Sequence, residues 1–198
     1  MLDGLRLKIS EGNSKLGKIP NLSLPPVTTC RPGAPCATEG CYAVKFYQMY
    51  PNVRSAWDSN LRFYQEDPDG FFSDLIVYLT MKKPERFRLF VSGDFPDELF
   101  FVRIMDVFGS HPGTRVLCFT KRFEYPLYIT PQNVNMVLSM WPGLEIPDIA
   151  EDFPCSWLST DVRRPITTHI KCVSNCMECG YKCFTAVSRD LHCVFDPH

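Results

Sequence analysis

Residues 86–121 read RFRLFVSGDFPDELFFVRIMDVFGSHPGTRVLCFTK, and this stretch decides the fold class. Its opening, RFRLFVSGD, is rich in Phe, Leu and Val and closes on Gly93, the pattern of a strand running into a turn. PDELFFVRIMDVFG then reads as a helix, with Pro96 in its first turn and Gly109 at its C-terminal end. Arg103, Asp106 and Ser110 recur at three- and four-residue steps, so only a narrow stripe of this helix meets water. TRVLCFTK is a second apolar strand. Strand, helix and strand in that order predict a parallel pair joined by a right-handed crossover.

The same alternation extends in both directions. Upstream, NLSLPPV (21–27) reads as an extended segment ending at its Pro pair. SAWDSNLRFYQED (55–67) places Trp57, Leu61 and Tyr64 at helical spacing with Ser55 as N-cap, and DGFFSDLIVYLTMKK (69–83) continues as a second helix. Downstream, NVNMVLSMW (133–141) is a third strand; beyond PGLEIPDIAEDFP (142–154) the periodicity fades, and RRPITTHIKC (163–172) supplies one more candidate strand. A complete eight-unit barrel needs at least about 200 residues, and part of this chain is irregular. The expectation is therefore an α/β fold, a partial (β/α) barrel-like parallel sheet with an irregular cysteine-rich C-terminal segment. The 198 residues predict a single domain, with an α/β core over 1–165 and the cysteine-rich segment over 166–198.

Composition narrows the function classes. Lys and Arg number 21 against 22 Asp and Glu, a net charge of -1, which lacks the basic excess of a phosphate-neutralising surface. The first ten residues, MLDGLRLKIS, hold no continuous apolar run of the signal-peptide kind, and no later run approaches the length of a membrane span. A cytoplasmic protein is expected, of a bacterial host if the gene is phage-borne.

Ten cysteines are the outstanding feature. TTCRPGAPCATEGCYAVK (28–45) gathers Cys30, Cys36 and Cys41 in a Pro/Gly-rich loop, and IKCVSNCMECGYKCF (170–184) gathers Cys172, Cys176, Cys179 and Cys183. Intracellular thiols at this density usually hold metal. The first spacing, C-x5-C-x4-C, lets three thiolates hold three corners of a 4Fe-4S cube and leaves one iron open. With one more ligand the same thiols make a tetrahedral zinc site, although zinc knuckles favour tighter pairs. The second spacing, C-x3-C-x2-C-x3-C, can complete a cluster unaided; a zinc ribbon would separate its pairs by a longer hairpin. A shared site for both groups is a third arrangement. Cys118 sits in an apolar strand and reads as a small hydrophobe, while Cys155 and Cys193 lack a comparable strand context and read as packing residues. His169, three residues before Cys172, can stand in for a thiol, though a lone His in ITTHIK is more often an ordinary residue; His111, His192 and His198 lie in turn-like or terminal sequence.

Cysteines after a first strand, followed by RLFVSGDFPDELF as strand, Gly-Asp turn and helix, make the chain resemble the radical S-adenosylmethionine enzymes. That resemblance implies a full or partial barrel, with Cys30, Cys36 and Cys41 on a 4Fe-4S cluster. It also implies a cofactor pocket lined by Ser92, Gly93 and Asp94 at the turn, and by Lys121 and Ser139 at later strand ends. For both of these last two an ordinary loop or strand role is the competing reading. The superfamily's usual loop is C-x3-C-x2-C, and this one departs from it. More closely, GNSKLGKIPNLSLPP, CYAVK, VSGDF, FTK and the terminal cysteine run resemble the gene product 88 family of phage and plasmid proteins, over nearly the whole chain. The expectation is an iron-sulfur protein with two 4Fe-4S clusters, leaning to a radical S-adenosylmethionine-like enzyme. Its partners would be a small-molecule cofactor or an electron donor. The alternatives are a non-enzymatic electron-transfer protein with both clusters, and a structural zinc-binding module.

Overall fold

The computed structural model describes residues 4–38, 40–166, 169–185 and 191–197. Two short strands, β1 (Ile9–Ser10) and β2 (Asn21–Leu22), precede the first cysteine loop. Three helices follow: α1 (Tyr42–Met49), α2 (Pro51–Glu66) and α3 (Pro68–Lys82). Then come β3 (Arg86–Leu89), α4 (Glu98–Gly109), β4 (Arg115–Thr120), β5 (Val134–Ser139), β6 (Cys155–Leu158), β7 (His169–Lys171) and β8 (His192–Phe195).

All eight strands form one sheet in the order β1-β2-β3-β4-β5-β6-β8-β7. Only the β1–β2 pair is antiparallel; every other pairing is parallel. From β2 to β6 the spatial order follows the chain order, so each crossover steps in the same direction and the helices collect on one face. Strand alternation shows this directly. Phe87, Leu89, Val116, Cys118, Met136 and Leu138 pack with α2, α3 and α4 in the larger core. The alternate residues Leu117, Val137 and Cys193 point the other way, into a second apolar cluster. Among the described residues no long helix covers that second face. Leu16 and Ile19 from the N-terminal strap fill it together with Phe184 and the C-terminal cysteine segment.

The elements have local causes. Asp97 caps α4 by accepting a hydrogen bond from the Phe100 amide at 2.7 Å. Pro96 therefore lies just outside the helix and not in its first turn. Phe100, Phe101, Ile104, Met105, Val107 and Phe108 bury one face of α4, each of the larger side chains stabilising by about 1.5–3 kcal/mol. Ser55 lies inside α2, which starts four residues earlier because Pro51 is suited to a first helical position. Tyr64 of α2 packs edge-on to Phe100 with ring centres 4.8 Å apart and donates its hydroxyl to Asp97, which fixes α2 against the start of α4. Asn60 is fully buried; it accepts from the Lys8 amide and donates to the carbonyls of Lys8 and Ser23, pinning the N-terminal strap to α2.

The C-terminal third is more regular than its sequence suggests. Cys155 opens β6 and Cys193 lies in β8, both fully buried, so both have the strand context that their sequence surroundings conceal. β7 and β8 carry the sheet past residue 166, so the cysteine-rich segment is joined to the core by strand pairing. α1 is a further element that periodicity did not reveal. Among the described residues no helix is long and apolar enough to cross a membrane.

Just after β6, Asp161 is buried and takes a two-pronged ion pair from Arg163, at 2.9 Å from Nε and 2.7 Å from Nη2. Arg163 also donates to the carbonyls of Trp141 and Leu144, which locks the loop after β5 in place. The Arg163 hydrogen bonds hold the Asp161 carboxyl below its ordinary range. Its stabilising contribution is therefore fully present above the unfolded value of about 3.9 and fades as pH falls through the lower folded value. Arg163→Gln is expected to lose about 1.5–3 kcal/mol at pH 7. In urea titrations the gap between variant and wild type should narrow below about pH 4; an unchanged gap at pH 2 would mean the loss is one of packing.

Candidate functional site

The carboxyl ends of the parallel strands open into a single large cavity that all seven clustered cysteines line. The N-terminal group arrives on the loop after β2. Cys30 lies at its start, Cys36 in a short 3-10 turn (Pro35–Ala37), and Cys41 at the N-cap of α1. The C-terminal group arrives on the turns after β7, with Cys183 in a 3-10 turn over Lys182–Phe184. None of the seven is disulfide-bonded and all are partly exposed. Electrostatics separates them into two sets. Burial pushes the Cys30 thiol up to about 11, with the Asp94 carboxylate and then Cys36 and Cys41 adding to it. Burial likewise raises Cys36, against the pull of Lys121. Burial raises Cys176 to about 11, and its thiol neighbours are Cys179, Cys183 and Cys172. The two groups, far apart in sequence, thus line one cavity.

Among the described residues, no three Cys, His, Asp or Glu side chains converge closely enough to hold one metal ion as they stand. The donor set nevertheless suits a thiolate-binding metal. Both groups sit on turns outside the sheet, so closing them around a cluster would leave strand pairing intact. Three cations, Lys15, Arg88 and Lys121, line the same cavity and make no ion pair among the described residues. Partly buried cations without carboxylate partners favour anionic contents, and a metal held by three or four thiolates is anionic. Arg88 stacks on Phe119 at 4.3 Å and donates Nε to the Phe90 carbonyl; Lys15 lies 5.9 Å over Phe195.

The turn after β3 is built to hold its shape. Phe90 has a left-handed backbone (φ 60) and is buried, its amide donating to the Leu22 carbonyl at 2.8 Å. Gly93 (φ 78) is required by packing, because a Cβ there would lie 2.8 Å from the Leu24 carbonyl oxygen. Asp94 is buried. Its Oδ1 accepts from the Thr120 hydroxyl at 2.8 Å and the Phe95 amide at 2.9 Å, and its Oδ2 from the Lys121 amide at 2.8 Å. Its own amide donates to Thr29 Oγ1, beside Cys30. The Ser92 hydroxyl lines the cavity, is buried, and has no hydrogen-bond partner among the described residues. Lys121 and Ser139, expected separately from the sequence, meet: Nζ donates to Oγ at 2.8 Å, with Trp141 beneath the ammonium at 5.7 Å.

His169 is exposed on β7, while His192 is buried in β8 and accepts the Cys155 amide at Nδ1. His111 bonds the Val107 carbonyl and Thr80, far from the cavity, and His198 lies outside the described residues. Arg88, Lys15 and Trp141 are site residues that sequence reasoning missed. Arg88 carries a usable signal, since it alternates with Phe87 and Leu89 in a strand and so had to face the side away from the helices.

The sequence profile of the family described as gene product 88 matches residues 5–142. The chain belongs to the gene product 88 family. The match takes in the three N-terminal cysteines, the Ser92–Asp94 turn, Lys121 and Ser139, and stops before the C-terminal four. No curated protein and no solved structure matches the chain, so the likeness to radical S-adenosylmethionine enzymes gains no support from these comparisons.

Because three donors converge on the Asp94 carboxylate, its removal is expected to damage the fold ahead of any ligand. Asp94→Ala should lower stability by about 3 kcal/mol or more, leaving Thr120 and two amides unpaired, and Asp94→Asn by less. Equal chemical-denaturation midpoints for wild type and Asp94→Ala would show that these bonds contribute little.

Proposed function

We propose that this chain is an iron-sulfur protein whose cysteines hold two 4Fe-4S clusters in one cavity, one on Cys30, Cys36 and Cys41 and one on Cys172, Cys176, Cys179 and Cys183. The observation that carries the reading is the arrival of seven free thiols, in groups of three and four, at the carboxyl edge of a parallel sheet. Lys15 and Arg88, which make no ion pair among the described residues, support it by supplying countercharge, and Lys121 adds to it while also acting on the Asp94 carboxylate. A cluster with one open iron supplies one-electron chemistry and a coordination site for a small molecule. Asp94 anchors the Cys30 loop through Thr29, so the turn and the first thiol keep a fixed relation. Burial raises the Cys36 thiol, with Lys121 pulling against it, while at Cys183 the hydrogen bond from Cys193 favours the thiolate most and Arg88 and Lys15 add to it.

Within this reading we favour a radical S-adenosylmethionine-like enzyme. Its cofactor would meet the unpartnered Ser92 hydroxyl and the Lys121–Ser139 pair, on a partly closed barrel. One observation favours the electron-transfer reading instead. The Asp94 carboxylate is committed to three internal donors and has little left for a cofactor ammonium.

Protein prepared without oxygen should be brown and contain about eight iron and eight acid-labile sulfide per chain. Stoichiometric zinc in a colourless preparation would replace this with the structural zinc module. S-adenosylmethionine should perturb the paramagnetic resonance spectrum of the reduced protein and yield deoxyadenosine; an indifferent spectrum leaves electron transfer. Arg88→Gln removes a positive charge next to the C-terminal thiols. It is expected to lower the midpoint potential of one of two spectroscopically distinct clusters by tens of millivolts, with iron content retained. A shift of both potentials, or of neither, would place Arg88 elsewhere in the electrostatics.

A further inference from the structure

We propose that Cys183 and Cys193 form a dithiol that closes to a disulfide, a modification site at the back of the cavity that withdraws Cys183 from the metal-binding set. The first half stands on geometry alone; the second rests on the iron-sulfur reading above.

The two sulfurs lie 3.3 Å apart and are not bonded, and no other thiol–thiol hydrogen bond forms among the described residues. Each belongs to a well-held backbone. Cys193 is in the middle of β8, paired with Ser156 on one side and Ile170 on the other. Cys183 has its carbonyl fixed by Asn135 Nδ2 at 2.6 Å, and the adjacent Phe184 is buried. Closing the bond needs the sulfurs to approach by about 1.2 Å, within reach of side-chain rotation.

The two thiols differ in access. Cys183 lines the cavity, whereas Cys193 is fully buried among Leu16, Ile19, Leu117, Val137 and Phe184 and does not line it. A metal ion or cluster in the cavity reaches Cys183 but meets Cys193 only by displacing that apolar packing. Cys193 is therefore the resolving partner of Cys183, and not an eighth ligand. With a low-molecular-weight disulfide of the glutathione class as oxidant, the Cys183 sulfur attacks one sulfur of the oxidant and releases one small thiol. The Cys193 sulfur then attacks Cys183 and displaces the second small thiol. Two protein thiols lose two electrons and two protons, and the oxidant disulfide becomes two thiols. A cluster already bound through Cys183 blocks the reaction, so occupancy of the site and oxidation of the pair exclude each other.

The test uses the full-length metal-free protein, titrated with glutathione disulfide, alkylated and mapped by peptide mass spectrometry. Cys183–Cys193 should be the first and dominant bond, with the other eight cysteines alkylated. Reconstitution after oxidation should then recover less iron and sulfide than the reduced control, because the C-terminal set falls from four thiols to three with Cys183 held away in the disulfide; equal recovery would overturn the second half. Cys193→Ser should keep full iron content and lose this sensitivity; Cys193→Val serves if the serine does not fold. Disulfides scattered among other pairs, or none, would overturn the first half. Loss of iron in Cys193→Ser to the extent seen in Cys183→Ser would make Cys193 a ligand and overturn the second. A protein that takes up no iron but forms the bond would retain the modification site while the iron-sulfur reading fails.

Discussion

The rest of the structure depends on the buried Asp94 carboxylate. Its acceptors tie the end of β3 to the end of β4 through Thr120 and Lys121, and its amide ties both to the Cys30 loop through Thr29. Arg122, next along, extends the same knot by donating to the carbonyls of Phe95 and Thr29. Burial raises the Asp94 carboxyl above its ordinary range even with these donors around it, so the fold bears a desolvation cost to place a charge here. What that cost secures is registration. Two strand ends and the first thiol are fixed relative to one another where the cavity begins.

Strand and helix identities in the middle of the chain were legible because their patterns are strong and local. VSGD after Phe and Leu, and the doubled aromatic spacing of α4, admit few other readings. The parallel sheet followed from the alternation. β6 and β8 were not legible. CSWL and HCVF are four-residue strands too short to show a pattern of their own and are held by pairing, β6 with 138–139 and β8, and β8 with 156–158 and 169–171. Local propensity carries no record of that pairing. α1 escaped for a different reason: it follows directly on the cysteine loop, and although Tyr42, Phe46 and Met49 recur at helical spacing they stay exposed and only Ala43 is buried.

The seven cysteines that line the cavity stand out in the sequence, whereas the cavity that gathers them does not. Spacing groups the thiols into two runs, but their meeting depends on the segment after β7 returning across the open face of the sheet, where the Cys176 amide donates to the Lys15 carbonyl and Arg86 of β3 stacks on Tyr181. Lys121 and Ser139 illustrate the gain. Each taken alone reads as an ordinary loop or strand residue, yet neighbouring parallel strands β4 and β5 end at the same height and bring their side chains to 2.8 Å. Asp94 illustrates a structural part that the sequence did not reveal, since the carboxylate at the expected turn also ties the ends of β3 and β4 together.

The singly stepped sheet explains why cysteines gather where they do. A doubly wound sheet would place helices on both faces, and a closed barrel would fill its interior with side chains from the remaining strands. This sheet does neither. Its second face is covered by Leu16, Ile19 and Phe184 and by a cysteine segment that has few large apolar side chains of its own. Such a segment gains little from burial, and Val173 and Met177 within it are about half exposed. Metal coordination can supply the missing folding energy, because binding free energy at sites absent from the unfolded chain is folding free energy. On the iron-sulfur reading, then, the clusters would supply the cover that apolar side chains do not provide on this face, and the stability of the C-terminal cover and the occupancy of the site are one quantity.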